Sequence, residues 1–395
     1  MRVKMIPLMK NTFIHEYNTK KELSEFILKS DKLSMGEKCF EFEKEFAKYQ
    51  GRKYAVLFNS GGSANLAMLQ ALKNLDILKA GDKIGFSSLT WSTNVMPIIQ
   101  QGFEPIPIDV NIKTLNVMSE NIIDRLKETP INALFITNAL GFTGDLLKIK
   151  ELCEDENILL LEDNCEALGT EVYGIKAGNF GVMSSFSFFV AHHMSTIEGG
   201  MVCTDNEELH QMLCIVRANG WDRNLSVNQQ IKLRKKNNIE SEFYAKYSFY
   251  DLGYNLRPTE ITGFIGLLQL QYLEDNINKR LINHNYLESF VKNNDELITL
   301  EYEHISRLSP FAFPIICKNR ELQEKYIYQF SGAGIEIRPM IAGNIQNQPF
   351  YKKYVNKSYR LEGAEFLHKN SFYCGNYPEL QQSDLETISS CLIKY

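Results

Sequence analysis

Between residues 54 and 162 the chain alternates short apolar runs with amphipathic stretches, and no other feature constrains its fold as much. The runs Tyr54–Phe58, Lys83–Ser87, 104–109, Ala133–Thr137 and 158–162 predict strands, and residues 64–75, 92–101, 119–127 and 145–156 predict helices between them. Strands alternating with helices predict a parallel sheet covered on both faces. Such sheets bind ligands beyond the carboxyl ends of their strands. Two more strands are expected at 184–189 and Gly200–Thr204. A polar segment, 229–242, then carries Lys232, Arg234, Lys235 and Lys236; it reads as a solvated surface insertion, with a flap near an anionic substrate as the sharper alternative. Pro258 opens a long helical stretch to about residue 291, as proline in a first helical turn does. Beyond it, strands at 311–317 and 335–338 and helices at 320–330 and 383–394 point to a second domain. The expected division is 1–257 for the large domain, its N-terminal segment able to pack with the small one, and 258–395 for the linking helix and small domain.

With 395 residues, 44% of them hydrophobic, the chain can bury a sizeable core. A formal net charge of -5 argues against nucleic acid and anionic membrane surfaces as partners. The stretch MRVKMIPLMK at the start has no apolar h-region and no small-residue cleavage site, so it does not read as an export signal. No run approaches the ~18 apolar residues a membrane helix needs, and a cytoplasmic location is expected. The eight cysteines are scattered, with no CxC or CxxC pair, and read as small buried apolar residues rather than a disulfide or metal framework.

Three sites carry chemistry. Asn59-Ser60-Gly61-Gly62-Ser63-Ala64-Asn65 follows a strand and opens a helix. Glycines let the backbone approach a ligand, and a helix start favours phosphate; a simple helix cap gives the same residues. Leu160-Leu161-Glu162-Asp163-Asn164-Cys165-Glu166 ends an apolar strand in carboxylates. Asp163 is placed to face the ring nitrogen of a pyridine cofactor, where a carboxylate keeps the ring protonated; a helix cap is the bland alternative. The third is Ala191-His192-His193 before Glu198-Gly199-Gly200. Adjacent histidines on a strand point to opposite faces and make a poor shared metal site, so a structural pair is the reading from these residues alone.

Together these sites resemble the sugar aminotransferases of the DegT/DnrJ/EryC1/StrS family. The likeness also takes in Thr90-Trp91-Ser92-Thr93, Ala177-Gly178 with Phe180-Gly181, Gly253-Tyr254-Asn255-Leu256-Arg257-Pro258 and Gly334-Ile335-Glu336-Ile337-Arg338-Pro339. It implies an α/β chain with the aspartate aminotransferase fold of pyridoxal phosphate (PLP) enzymes, fold type I: a large mixed-sheet α/β domain and a smaller α+β C-terminal domain. PLP and its amine form, pyridoxamine phosphate, are the implied cofactor. By position, Gly62, Ser63 and Ser187 would hold its phosphate, Trp91 would stack on its ring, Asp163 would meet the ring nitrogen, and Glu166 would add a further contact. Asn255 would reach the phosphate of a partner subunit's cofactor, in a homodimer with shared active sites. Arg257 and Arg338 would bind the carboxylates of glutamate or the sugar nucleotide, unless they form structural salt bridges.

The family's lysine lies six residues before the glutamate of the EGG motif, and here that position is His192. This resembles the C3-dehydratase branch, whose substrate is GDP-linked 4-keto-6-deoxymannose, whose co-substrate is L-glutamate, and whose products feed dideoxysugar and O-antigen biosynthesis. Asn219 departs from it, since that branch typically has histidine there. A second branch, acting on CDP-linked sugars, holds an iron–sulfur cluster on four cysteines, two in a CxC pair; without CxC no such cluster is expected. Lysine both tethers the cofactor and moves protons. Imidazole moves protons near neutral pH but does not tether, so His192 is expected to be the catalytic base and His193 to serve structure. An aminotransferase, or a dehydratase for another nucleotide sugar, is the alternative; no lysine lies between Lys176 and Lys232 to rescue the tether.

Overall fold

A computed structural model describes residues 5–394; residues 1–4, part of the N-terminal stretch read above, and Tyr395 lie outside the described residues. β1 (Tyr54–Phe58), β2 (Lys83–Ser87), β3 (Glu104–Ile108), β4 (Ala133–Thr137) and β5 (Leu159–Asp163) form where the apolar runs predict them. Two short strands follow, β6 (Glu171–Val172) and β7 (Ile175–Lys176), then β8 (Met183–Ser187) and β9 (Gly200–Thr204). The central sheet has the order β1-β9-β8-β5-β4-β2-β3. Neighbours from β8 to β3 run parallel, whereas β9 is antiparallel to both β8 and β1. The sheet is therefore mixed, as the resemblance implies and the local alternation does not. β9 reverses because only a turn, with no crossover helix, separates it from β8.

Both sheet faces are buried. Leu134, Ile136 and Leu160 belong to one apolar cluster, and their strand neighbours Ala133, Phe135 and Leu161 belong to the other. Continuous apolar runs rather than alternating ones follow from that double burial.

The first helices, Glu16–Lys29 and Glu37–Gln50, lie in a stretch where the sequence reading assigns nothing. The second buries Cys39, Phe42 and Phe46. It packs on the helix Glu260–Leu270 at close range: a Cβ on Gly266 would lie 2.4 Å from the Phe42 ring. The long stretch expected from Pro258 breaks into two helices, Glu260–Leu270 and Leu273–Lys292. The first packs on Glu37–Gln50 and the second on Gln382–Ser390, so one straight helix could not serve both.

β10 (Ile305–Arg307) pairs with β6 beside the hairpin. A last sheet is built from β11 (Ala312–Ile316), β12 (Ile337–Pro339) and β13 (Ser371–Gly375), in the order β11-β13-β12, all antiparallel. The N-terminal segment lies beside β12: Ile6 bridges Ile335, and the Leu8 N–H donates to Glu336 Oε2 at 2.9 Å. The basic segment is an exposed helix, Val227–Lys236, started by Ser226, whose Oγ accepts from the Gln229 N–H. Arg234 Nε donates to Asp222 Oδ2 at 2.7 Å, so that part of its charge is engaged locally. Among the described residues, no helix is long and apolar enough to cross a membrane.

Candidate active site

Strand register assembles the site. Phe58 pairs with Gly200, Gly200 with Ser187, and Ser185 with Asp163. Neighbouring strands lie ~4.8 Å apart, so the turn after β1, the end of β8 and the end of β5 converge on one cavity of about 470 Å³. Six residues singled out above line it: Gly62, Trp91, Asp163, Glu166, Ser187 and His192.

The turn after β1 leads into the helix Gly61–Asn74. Ser60 caps it, its Oγ accepting from the Ser63 N–H at 3.1 Å and sharing a hydrogen bond with Ser63 Oγ at 2.9 Å. The N–H groups of a first turn have no intrahelical acceptor. Gly200 brings β9 against this turn: a Cβ there would lie 2.2 Å from the Ser60 carbonyl oxygen.

At the end of β5, Glu162 and Asp163 face opposite ways. Glu162 is fully buried and accepts from the N–H groups of Gly178, Phe180 and Gly181 at 2.7–2.8 Å. Burial pushes its carboxyl up and those donors oppose the shift. It thus organises the 178–181 turn and takes no part in the cavity. Asp163 Oδ2 accepts from Asn65 Nδ2 at 2.8 Å and Asn94 Nδ2 at 2.7 Å, and Oδ1 accepts from the Cys165 N–H at 2.8 Å. Glu166 Oε2 accepts from the Leu140 N–H at 2.8 Å. Burial pushes its carboxyl up to about 7, opposed by that donor and aided by the charge of Asp163.

The histidine pair is not on a strand, contrary to the extended reading of 184–189 and its alternation argument; β8 ends at Ser187, and His192 and His193 lie in the turn beyond it. They still separate. His193 is fully buried with Nε2 3.1 Å from the Ser309 carbonyl oxygen, whereas His192 reaches the cavity with its ring 5.1 Å from that of Phe311. His192 Nδ1 is sealed from solvent and has no hydrogen-bond partner. Burial, then the charge of Arg280, lowers the His192 imidazole to about 4, with the Phe189 carbonyl opposing. It is therefore unprotonated at neutral pH.

Trp91 leaves 57% of its surface exposed beside the cavity, unlike a core tryptophan. Asn255 and Arg257 are exposed, and Arg257 Nε donates to Asn255 Oδ1 at 3.0 Å; neither lines this cavity. Arg338 is also exposed, and Nη2 donates to Glu336 Oε1 at 2.5 Å. Asn65 and Asn94, which hold Asp163, carry no role in the sequence reading, although each is a buried polar residue in the first turns of a helix that starts at a strand end. Phe311, Ile341 and Tyr373 also line the cavity and have no local signal, because they arrive from the C-terminal part of the chain.

The DegT/DnrJ/EryC1/StrS aminotransferase family matches residues 15–393. The GDP-4-keto-6-deoxy-D-mannose 3-dehydratase of Escherichia coli O55:H7 is 34% identical over 355 residues, 89% of this chain and 90% of that one. A solved structure of the E. coli GDP-4-keto-6-deoxy-D-mannose 3-dehydratase with bound hydrated PLP superposes with a TM-score of 0.90 at 32% identity, covering 99% of this chain and 100% of that one. A point variant of GDP-4-keto-6-deoxymannose 3-dehydratase with bound GDP-perosamine gives 0.87 at 32% identity, covering 98% and 99%.

Proposed function

The chain belongs to the DegT/DnrJ/EryC1/StrS aminotransferase family, and from that premise we propose that it removes the C3 hydroxyl of a nucleotide-linked 4-keto-6-deoxy sugar, with GDP-4-keto-6-deoxy-D-mannose as substrate. The observation that carries this reading is the cavity's supply of basic nitrogen: among the described residues lining it, His192 provides the imidazole and no lysine is present.

The residues fit PLP. A Cβ on Gly61 would lie 2.7 Å from Ser187 Cβ, and one on Gly62 would lie 2.9 Å from Thr93 Cγ2, so glycine keeps open the space where helix N–H groups, Ser63 and Ser187 would take the phosphate. Trp91 would stack on the ring and Asp163 would meet its nitrogen, with Glu166 as a further contact. When bound, PLP supplies an electron sink and, in its amine form, the nitrogen that engages the sugar ketone.

His192 Nε2, unprotonated at neutral pH, takes a proton during elimination and supplies the one that the departing C3 oxygen needs. The reaction balances with one amino donor. L-glutamate leaves as 2-oxoglutarate and ammonia and gives up the electron pair that reduces C3, while the water lost from the sugar equals the water consumed in releasing ammonia. Glutamate is thus the reductant. Exposed Asn255, outside its own chain's cavity, supports a homodimer in which it serves a second copy's site, and Arg257 is a candidate for the glutamate carboxylate or the sugar nucleotide. Arg338 is the candidate for a substrate carboxylate or phosphate.

Incubating the purified protein with PLP, glutamate and a panel of 4-keto nucleotide sugars tests this. One sugar should lose a single oxygen atom while 2-oxoglutarate and ammonia accumulate in equal amounts. An amino sugar that keeps its C3 oxygen would instead establish transamination.

A further inference from the structure

His192 sits outside the ladder that fixes β8, so its place in the cavity needs another cause. The helix Leu273–Lys292 supplies one. Arg280, 2% exposed, donates from Nη2 to the His192 carbonyl at 3.3 Å, from Nη1 to the carbonyls of Phe311 at 2.7 Å and Asn376 at 2.5 Å, and from Nε to Asn276 Oδ1 at 2.9 Å. Asn276 Nδ2 donates to the His193 carbonyl, and Asn376 Nδ2 donates back to the Arg280 carbonyl at 3.1 Å. Phe311, held through its own carbonyl, packs its ring on His192, with Phe189 edge-on at 6.2 Å. The four acceptors of Arg280 are three carbonyls and an amide; none is a carboxylate. A buried guanidinium without a bonded acid is costly, and its planar fork is the one side chain that can span acceptors in this arrangement.

We propose that Arg280 is the positioning residue of the catalytic base: it ties the His192–His193 turn to the helix Leu273–Lys292 and to the ends of β11 and β13, and so sets His192 in the cavity from the C-terminal side. This rests on the reading of His192 as the base. The guanidinium also adds to burial in disfavouring imidazolium. The other groups facing His192 are Asp163 at the end of β5, Glu166 after it, Glu198 ahead of β9, Tyr373 on β13 and His193 on its own turn, while Glu379 faces Arg280.

The test measures dehydration kinetics of Arg280→Gln and Arg280→Lys between about pH 3.5 and 9, a window that includes the wild-type limb expected at about 4, alongside cofactor retention after dialysis. Arg280→Gln should lower kcat about 100-fold, as a misplaced catalytic group does, and leave cofactor retention as in wild type. It should also move the acid limb of the pH profile to higher pH, because one of the two causes keeping the imidazole neutral is gone. Arg280→Lys keeps the charge but not the fork, so kcat should fall with the acid limb unmoved. Wild-type kcat per cofactor-loaded site with an unmoved limb in Arg280→Gln, whatever its melting temperature, overturns the proposal. If Arg280→Gln does not fold, wild-type kcat in Arg280→Lys does so. His192→Asn is run in parallel. Dehydration surviving there defeats the reading of the base itself; dehydration lost there but intact in both Arg280 variants defeats this inference alone.

Discussion

On one wall of the cavity, Gly62, Asp163 and Ser187 stand at or just beyond the ends of hydrogen-bonded strands; on the other, His192 hangs from a turn whose contacts come from Arg280 and Phe311. The first wall is fixed by strand register, a property of neighbouring backbone. The second is fixed by side chains that lie some ninety to a hundred and twenty residues away in sequence. In this reading the cofactor wall is common equipment of the family, and the base wall is where the chemistry changes from amine transfer to deoxygenation.

Four experiments separate the two walls, from the largest expected effect to the smallest. His192→Asn should cut product formation by about 10³-fold, within the range a general base supplies, while PLP retention after dialysis stays as in wild type. Equal loss of both would mean that the walls are not separable. Asp163→Asn should do the reverse first: cofactor leaks on dialysis, because the pyridine nitrogen loses its carboxylate, and activity falls with it by about 10²-fold, about 2.7 kcal/mol and within the roughly 1.5–3 kcal/mol of a hydrogen bond to a charged group. Titrating PLP into this variant and following absorbance checks it.

Gly200→Ala probes the cofactor wall through its backbone. The new Cβ would meet the Ser60 carbonyl oxygen at 2.2 Å, a contact with no flexible end to move aside. A stability loss of about 1–3 kcal/mol is expected, read as a lower denaturation midpoint, together with weaker cofactor binding. The smallest effect is on pH dependence. Burial lowers the imidazoles of His192, His210 and His284 to about 4, and that of His193 well below its ordinary value. The unfolded chain binds these protons first, near pH ~6.5, so the stability they contribute is complete above that pH and declines as pH falls toward 4. The melting temperature should drop by about 2 °C or more across that window. His284→Gln should flatten the decline without touching catalysis.

The same contrast explains how far the sequence could be read. β1, β2 and β4 fall where their apolar runs end, and the residues just past β1 and β5 were identifiable because an α/β sheet puts ligands there. The helix Glu37–Gln50 escaped because its partners lie some 220 positions later: Gly263 meets its backbone at Lys38 and Cys39, and Gly266 meets the Phe42 ring. The histidine pair was legible as a substitution in a family pattern, yet its geometry was not: strand alternation gave the right separation of the two rings for the wrong reason, since the backbone there is a turn. Arg280 left no signal at all. An arginine inside a helix reads as surface charge, and only the fold turns it inward onto carbonyl groups.

The most direct measurement is made on the wild-type protein alone. Load it with PLP, reduce with borohydride, denature it, and weigh the intact chain. An imidazole in the place of the tether leaves nothing to trap, so the expected mass is that of the unmodified polypeptide, with His192→Lys gaining one reduced cofactor under the same treatment. A stoichiometric cofactor adduct on any lysine of the wild-type chain would contradict the assignment of His192 and return this protein to the aminotransferases.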